Sequence, residues 1–216
     1  MKYIFFDLDG TLTDSGPGII HAIQYALSNM GVEEKRPEVL YRNFIGPPLS
    51  TSFPKVYGFS AEQTEEAIGF FHKYYDKQGI YENSPYPGIP ALLSNLKAAG
   101  KQVALATSKP ILLAERVLEH FSLRQYFDQV CGGTMDESRN GKAEVIEDAV
   151  NSLAVRSRSQ AIMVGDRYLD VVGAHKNGLA CIGILYGGYG TREELEMARA
   201  DFIAENVTEL GRLLLK

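Results

Sequence analysis

Tyr3-Ile4-Phe5-Phe6-Asp7-Leu8-Asp9-Gly10-Thr11-Leu12-Thr13 sets four apolar or aromatic residues in a row and follows them with two carboxylates and a glycine. A short apolar run bounded by a glycine turn is the pattern of a buried strand. The carboxylates stand at its C-terminal end, the edge at which open α/β sheets build their sites.

Outward from this strand, a turn through Ser15-Gly16-Pro17-Gly18 leads into Ile19, Ile23, Ala26, Leu27 and Met30, apolar residues at helical spacing that stop at Gly31. Helical pattern returns over 38–45 and most clearly over 61–77, and no strand is expected between residues 16 and 84. At Ser84-Pro85-Tyr86-Pro87-Gly88 the pattern changes. From there helices (89–99, 110–121, 142–153, 168–177) alternate with strands (102–106, 129–131, 161–164, 181–185). A helix opened by a Thr191-Arg192-Glu193-Glu194 capping box, a strand near Phe202 and a last helix complete the chain. Such alternation predicts an α/β fold, a doubly wound parallel sheet with an inserted all-helical cap domain. Residues 1–15 and 85–216 are expected to form the core, and 16–84 the cap.

The 216 residues carry 22 basic and 27 acidic side chains, a net charge of -5. That balance disfavours nonspecific binding to nucleic acid or an anionic membrane, and a small anionic substrate needs a local positive site. Cys131 and Cys181 have no second Cys or His at metal spacing and read as reduced structural thiols. The apolar residues before Asp7 are too few for a signal peptide. The run Leu179–Leu185 falls short of the ~20 residues of a membrane span. A cytoplasmic location is expected, and no protein partner is implied.

Four polar groups fall at strand ends or at a helix start: Asp7 and Asp9; Thr107 and Ser108; Lys142; and Asp166 with Asp170. In a parallel sheet, strand ends of one direction share one edge, so these groups can converge. Crowded carboxylates repel unless a cation joins them, and hard oxygen ligands suit Mg²⁺. A carboxylate nucleophile beside such an ion, with an ammonium and hydroxyl donors, meets the needs of phosphoryl transfer. Alone, an Asp-x-Asp is better read as a turn or helix-start carboxylate than as a catalytic pair. The ordered Thr, Lys and Gly-Asp-x-x-x-Asp downstream turn the balance towards catalysis.

With these residues in place, the chain resembles the haloacid-dehalogenase superfamily of hydrolases. Asp7-Leu8-Asp9-Gly10-Thr11-Leu12 is similar to the family's first motif, Thr107 to the second, Lys142 to the third, and Gly165-Asp166-Arg167-Tyr168-Leu169-Asp170 to the fourth. The resemblance implies that Asp7 is the nucleophile of an aspartyl-phosphate mechanism, while Asp9 protonates the leaving oxygen and later activates water. It implies Mg²⁺ held by Asp7, Asp166 and the backbone carbonyl of Asp9, with Asp170 in support. Thr107 and the backbone N–H groups of Gly10 and Ser108 would hold phosphate oxygens, and Lys142 would balance the charge of Asp7. The family's third-motif Lys is often followed by Pro, whereas Ala143 follows Lys142, which leaves Lys109 as its rival.

An Asp two residues after the nucleophile points to a phosphatase or a phosphomutase. Phe44-Ile45-Gly46-Pro47-Pro48-Leu49, Ala106-Thr107-Ser108-Lys109-Pro110, Lys142-Ala143-Glu144 and Leu185-Tyr186-Gly187-Gly188-Tyr189-Gly190 are similar to the bacterial 5'-nucleotidase branch, near the phosphoglycolate phosphatases. The expected substrate is a small phosphorylated metabolite. A sugar-phosphate phosphomutase and a noncatalytic phospholigand-binding protein are the alternatives. Arg42 is the leading substrate contact in the cap, ahead of His21, Lys55, His72, Lys73 and the Tyr74-Tyr75 pair, whose ordinary reading is a solvated or packed helix residue. The 187–190 loop is a candidate to face the site, although three glycines after a strand more often mean only a turn.

Overall fold

The computed structural model describes residues 1–136 and 138–216. Six strands form one parallel sheet: β1 (Tyr3–Phe6), β4 (Gln102–Pro110), β5 (Gln129–Gly133), β6 (Ala161–Gly165), β7 (Ala180–Ile184) and β8 (Phe202–Ala204). Their spatial order is β5-β4-β1-β6-β7-β8, and the short strands β2 (Thr13–Asp14) and β3 (Ser84–Pro85) pair with each other apart from it. The chain runs from β1 out to β4 and β5, then returns to β6 on the other side of β1. This reversal makes the end of β1 the switch point of the sheet, where its C-terminal edge opens a crevice.

Every residue of β1 is buried, as expected of a central parallel strand covered on both faces. Phe5 joins a cluster with Ala104, Met163, Val145, Ile146, Val171 and Ala174, beneath α7 (Lys142–Ser152) and α8 (Tyr168–Lys176). Ile4 and Phe6 alternate to the opposite face, the side to which right-handed crossovers carry α5 (Ile89–Ala98) and α6 (Ile111–His120). Burying each of these large side chains contributes on the order of 2 kcal/mol. The strand that carries Asp7 is thus held from both sides. Helices α9 (Arg192–Met197) and α10 (Val207–Leu214) complete this part of the chain.

The chain divides into two compact units, residues 1–13 with 85–216 and residues 14–84. The second unit contains α1 (Gly16–Asn29), α2 (Pro37–Phe44), α3 (Leu49–Tyr57) and α4 (Ala61–Tyr75). Helix α4 opens on a reciprocal capping box between Ser60 and Gln63, and α1 packs along it. Backbones approach closely in this unit: a Cβ on Gly18 would collide with the Gly79 carbonyl.

Three local expectations are corrected. Helix α3 is added to the all-helical segment. Pro54 inside it removes a helical N–H donor, and the surrounding prolines, serines and threonine hide its periodicity. Strand β4 runs four residues beyond Ala106 to Pro110, which precedes α6 instead of opening it. Thr191 accepts from the Glu194 N–H at 3.1 Å, but the Glu194 carboxylate is engaged by Arg167 Nε and the Tyr168 N–H, both at 2.9 Å. The capping box at α9 is therefore half formed.

Candidate active site

Asp7 leaves the end of β1 with its N–H donating to the Val164 carbonyl at 3.0 Å, which ties it to β6. Asp166 follows that strand directly. Asp170 lies in the first turn of α8, wholly buried, and accepts from the Arg167 N–H at 3.1 Å. Gly165 makes this possible, because any Cβ there would overlap the Asp170 carboxylate. Asp7, Asp166 and Asp170 each offer an oxygen within 4.8 Å of the other two.

Lys142, the first residue of α7, reaches this cluster. Its Nζ lies 2.8 Å from Asp7 Oδ1 and 2.9 Å from Asp170 Oδ1. Both are close charge contacts without an aligned hydrogen bond to either oxygen. Gly173 lets α7 come close to α8, for a Cβ there would stand 3.0 Å from both Lys142 Cγ and Ile146 Cδ1. Asn177 Nδ2 donates to the Ala143 carbonyl at 2.9 Å and secures the start of α7.

Lys109 is also at the site, on a different carboxylate. Its Nζ lies 3.1 Å and 3.0 Å from the two oxygens of Asp9. The rivalry between the lysines therefore resolves as a division: Lys142 sits among Asp7 and Asp170, and Lys109 grips Asp9. The Asp9 side chain stands outside the three-carboxylate cluster.

Thr107 is buried near the end of β4, and its Oγ1 accepts from the Lys109 N–H at 3.3 Å. Gly10 adopts φ +79°, and a Cβ there would lie 2.5 Å from Asp166 Oδ2, so this position needs glycine. The Gly10 N–H, expected to hold a phosphate oxygen, instead donates to the Thr13 carbonyl at 2.9 Å. The hairpin-like closure of this loop takes that donor. Among the described residues, the N–H groups of Leu8 and Asp9 are the ones at this strand end that no carbonyl accepts.

Two further contributors join the site. Thr11 Oγ1 donates to Asp166 Oδ1 at 3.3 Å. The 187–190 loop, read first as a turn, packs directly on the first motif. Tyr186 Oη donates to the Thr11 carbonyl at 2.9 Å, and Tyr86 Oη donates to the Gly187 carbonyl at 3.2 Å. A Cβ on Gly187 would strike the Gly10 carbonyl, and one on Gly190 the Asp166 carbonyl. Its glycines permit that close approach.

In the helical unit, Arg42 lies exposed in the last turn of α2. Tyr74 Oη donates to Glu82 at 2.9 Å, and His21 Nδ1 lies 2.7 Å from the same carboxylate. Tyr75 is buried and stacks on Phe71 at 5.0 Å, a packing role.

Burial, followed by the charges of Asp170 and Asp7, pushes the Asp166 carboxyl well above its ordinary range. Burial likewise pushes Asp170 up to about 6, with the Lys142 charge opposing and the Asp7 charge adding. Burial alone would lower Lys142, but the charges of Asp170 and Asp7 outweigh it and hold the ammonium above its usual value. Asp166 Oδ2 is buried without a hydrogen-bond donor among the described residues. Three crowded hard-oxygen ligands with an unsatisfied buried oxygen fit a small divalent cation such as Mg²⁺.

The sign of this crowding is testable. A carboxyl raised in the folded state stabilises folding below the ordinary carboxylate range near ~4 and loses that contribution as pH rises through its folded value. For Asp170 the loss is complete above about 6 and amounts to on the order of 3 kcal/mol. A bound cation opposes the repulsion, so Mg²⁺ is expected to raise the melting temperature more at about pH 7.5 than at about pH 5. Thermal shifts against a chelator control check this, and equal shifts at the two pH values contradict it.

Residues 4–184 match the family of haloacid dehalogenase-like hydrolases. The chain is 36% identical to a 5'-nucleotidase of Pseudomonas aeruginosa over 212 residues, covering 98% of this chain and 94% of the relative. It is 37% identical to a tyrosine-protein kinase of Mycobacterium tuberculosis, over 96% of this chain and 67% of that one. It is 30% identical to a phosphoglycolate phosphatase of Vibrio parahaemolyticus, over 97% and 94%. Its structure is similar to that of a predicted phosphatase from Clostridium acetobutylicum, with a TM-score of 0.94, 43% identity, and coverage of 99% of this chain and 98% of that one.

Proposed function

The chain belongs to the haloacid dehalogenase-like hydrolase family and is a phosphatase; from that premise we propose that it is a Mg²⁺-dependent cytoplasmic phosphomonoesterase working through an aspartyl-phosphate. Its substrate is a small phosphorylated metabolite, of the nucleoside 5'-monophosphate or phosphoglycolate type that its relatives' names describe. The observation that carries the reading is the convergence of Asp7, Asp166 and Asp170 around Lys142, with Asp9 held separately.

In this reading Asp7 attacks phosphorus, forming an Oδ–P bond as the ester P–O bond breaks. Asp9 gives its proton to the departing oxygen, then takes one from the water that attacks phosphorus and releases Asp7. Lys142 holds Asp7 beside Asp170. Thr107 and the Leu8 and Asp9 N–H groups supply donors towards the phosphoryl oxygens. Asp7, Asp166 and Asp170, with the Asp9 carbonyl, would hold Mg²⁺, which when bound supplies charge neutralisation for the phosphoryl group.

A phosphate-release screen over nucleoside 5'-monophosphates, phosphoglycolate and sugar phosphates, with Mg²⁺ and with chelator, tests this. Mg²⁺-dependent release from at least one monoester is expected. No release from any of them removes the proposal.

A further inference from the structure

The Lys109–Asp9 pair is not needed to balance the metal-type cluster, and its surroundings are built to keep it in place. The Lys109 side chain is 6% exposed and that of Asp9 15%, so the ammonium has little solvent to turn to and stays where it meets a carboxylate. Its backbone is restrained from three directions. Pro110 follows and restricts Lys109 to extended conformations. The Lys109 N–H donates to Thr107 Oγ1 at 3.3 Å. Across the sheet, the β4–β5 register slips between Thr107 and Pro110, and two glycines of β5 make room for the displaced chain. A Cβ on Gly132 would lie 2.7 Å from the Lys109 carbonyl, and one on Gly133 2.6 Å from the Ser108 carbonyl. A bulge, a proline and two glycines thus fix where this lysine starts. Its ammonium then touches both oxygens of Asp9.

We propose that Lys109 is a positioning residue for Asp9: its two-point grip selects the carboxylate orientation from which Asp9 exchanges its proton with the ester oxygen. The inference rests on the phosphatase reading above, in which Asp9 is the proton donor. Asp9 lies in the loop after β1, where its χ angles have several staggered wells. Proton transfer by a positioned acid is worth about 10²–10⁴-fold, and loss of orientation forfeits part of it. Lys109 does not itself bond to phosphorus or to the leaving group in this step. Asp9 enters the step with its proton on one oxygen and Lys109 on the other. As the Asp7 Oδ–P bond forms, the ester P–O electron pair passes to the leaving oxygen, that oxygen takes the proton from Asp9, and the carboxylate left behind is the one Lys109 holds at both oxygens.

Leaving-group dependence separates this role from a structural or phosphate-binding one. A p-nitrophenolate departs without a proton, whereas an alkoxide requires one. The full chain, Lys109→Met and Lys109→Arg are compared by kcat/KM on p-nitrophenyl phosphate and on an alkyl monoester, since kcat/KM covers the steps only up to formation of the aspartyl-phosphate. For Lys109→Met the expected loss is about 10–100-fold on the alkyl ester and within about 3-fold on p-nitrophenyl phosphate. Lys109→Arg is expected to recover most of the alkyl-ester activity. An equal loss on both esters, as misfolding or lost phosphate binding would give, or no loss on the alkyl ester, overturns the inference. Wild-type chain that releases phosphate from neither ester removes the phosphatase reading and this inference with it, a result distinct from either of those.

Discussion

Asp7→Asn is expected to lower Mg²⁺-dependent phosphate release by about 10⁴-fold or more while the chain stays folded. Asparagine matches aspartate in volume, so β1, buried along its whole length, keeps its packing. What disappears is the carboxylate oxygen that forms the bond to phosphorus. The stability change is also informative. Asp7 adds to the upward push on Asp166 and Asp170, so its neutralisation relieves repulsion, and Lys142 retains Asp170 at 2.9 Å. The variant is therefore expected to melt no lower than wild type in chelator. Phosphate release with the best substrate and melting curves together decide the matter. A variant that keeps a tenth of the activity excludes Asp7 as the nucleophile.

Lys142→Met is expected to fail in both respects. Methionine fills most of the space, but Asp7 and Asp170 then lose the ammonium now 2.8 Å and 2.9 Å away. Removing one partner from a buried ionic group costs about 3–5 kcal/mol. Lys109 offers no replacement, because its ammonium is on Asp9. The cost should shrink as pH falls, because Asp170, already raised by burial and no longer lowered by the Lys142 ammonium, takes up a proton and needs no counter-charge. Urea unfolding of the metal-free variant and wild type at about pH 7.5 and about pH 5 measures this. An unchanged midpoint at the higher pH, or a deficit as large at the lower one, contradicts the role given to Lys142.

The contrast between what the sequence revealed and what it concealed follows from range. Apolar runs such as Tyr3–Phe6 and Ala161–Val164, each ending in carboxylates, are local signals, and strand direction alone brings their ends to one edge. The doubly wound sheet was legible for that reason. The position of Lys109 was not, because it depends on a register slip against β5 and on two glycines more than twenty residues later. Nor was the engagement of Glu194 by Arg167 and Tyr168, which draws a residue read as a helix cap into a contact across elements. Gly10 illustrates the remaining gap. Its place in the motif suggests a donor, but its N–H closes the loop onto Thr13, and what the site takes from it is a left-handed backbone and the absence of a Cβ. Helix α3 stayed hidden because Pro54 contradicts local propensity.

The central placement of β1 has a consequence for how the chain is made. Tyr3 pairs with Gln102 on one side and Ala161 on the other, and the loop after β1 is closed over by residues 187–190. Strand β1 is thus made well before it is surrounded on both sides, and the whole 14–84 unit is made before its first neighbour, β4. Contacts of such long sequence separation slow folding and leave apolar strands exposed while they wait. Tyr3-Ile4-Phe5-Phe6 is therefore both the anchor of the finished sheet and an apolar segment of the nascent chain that needs protection from aggregation.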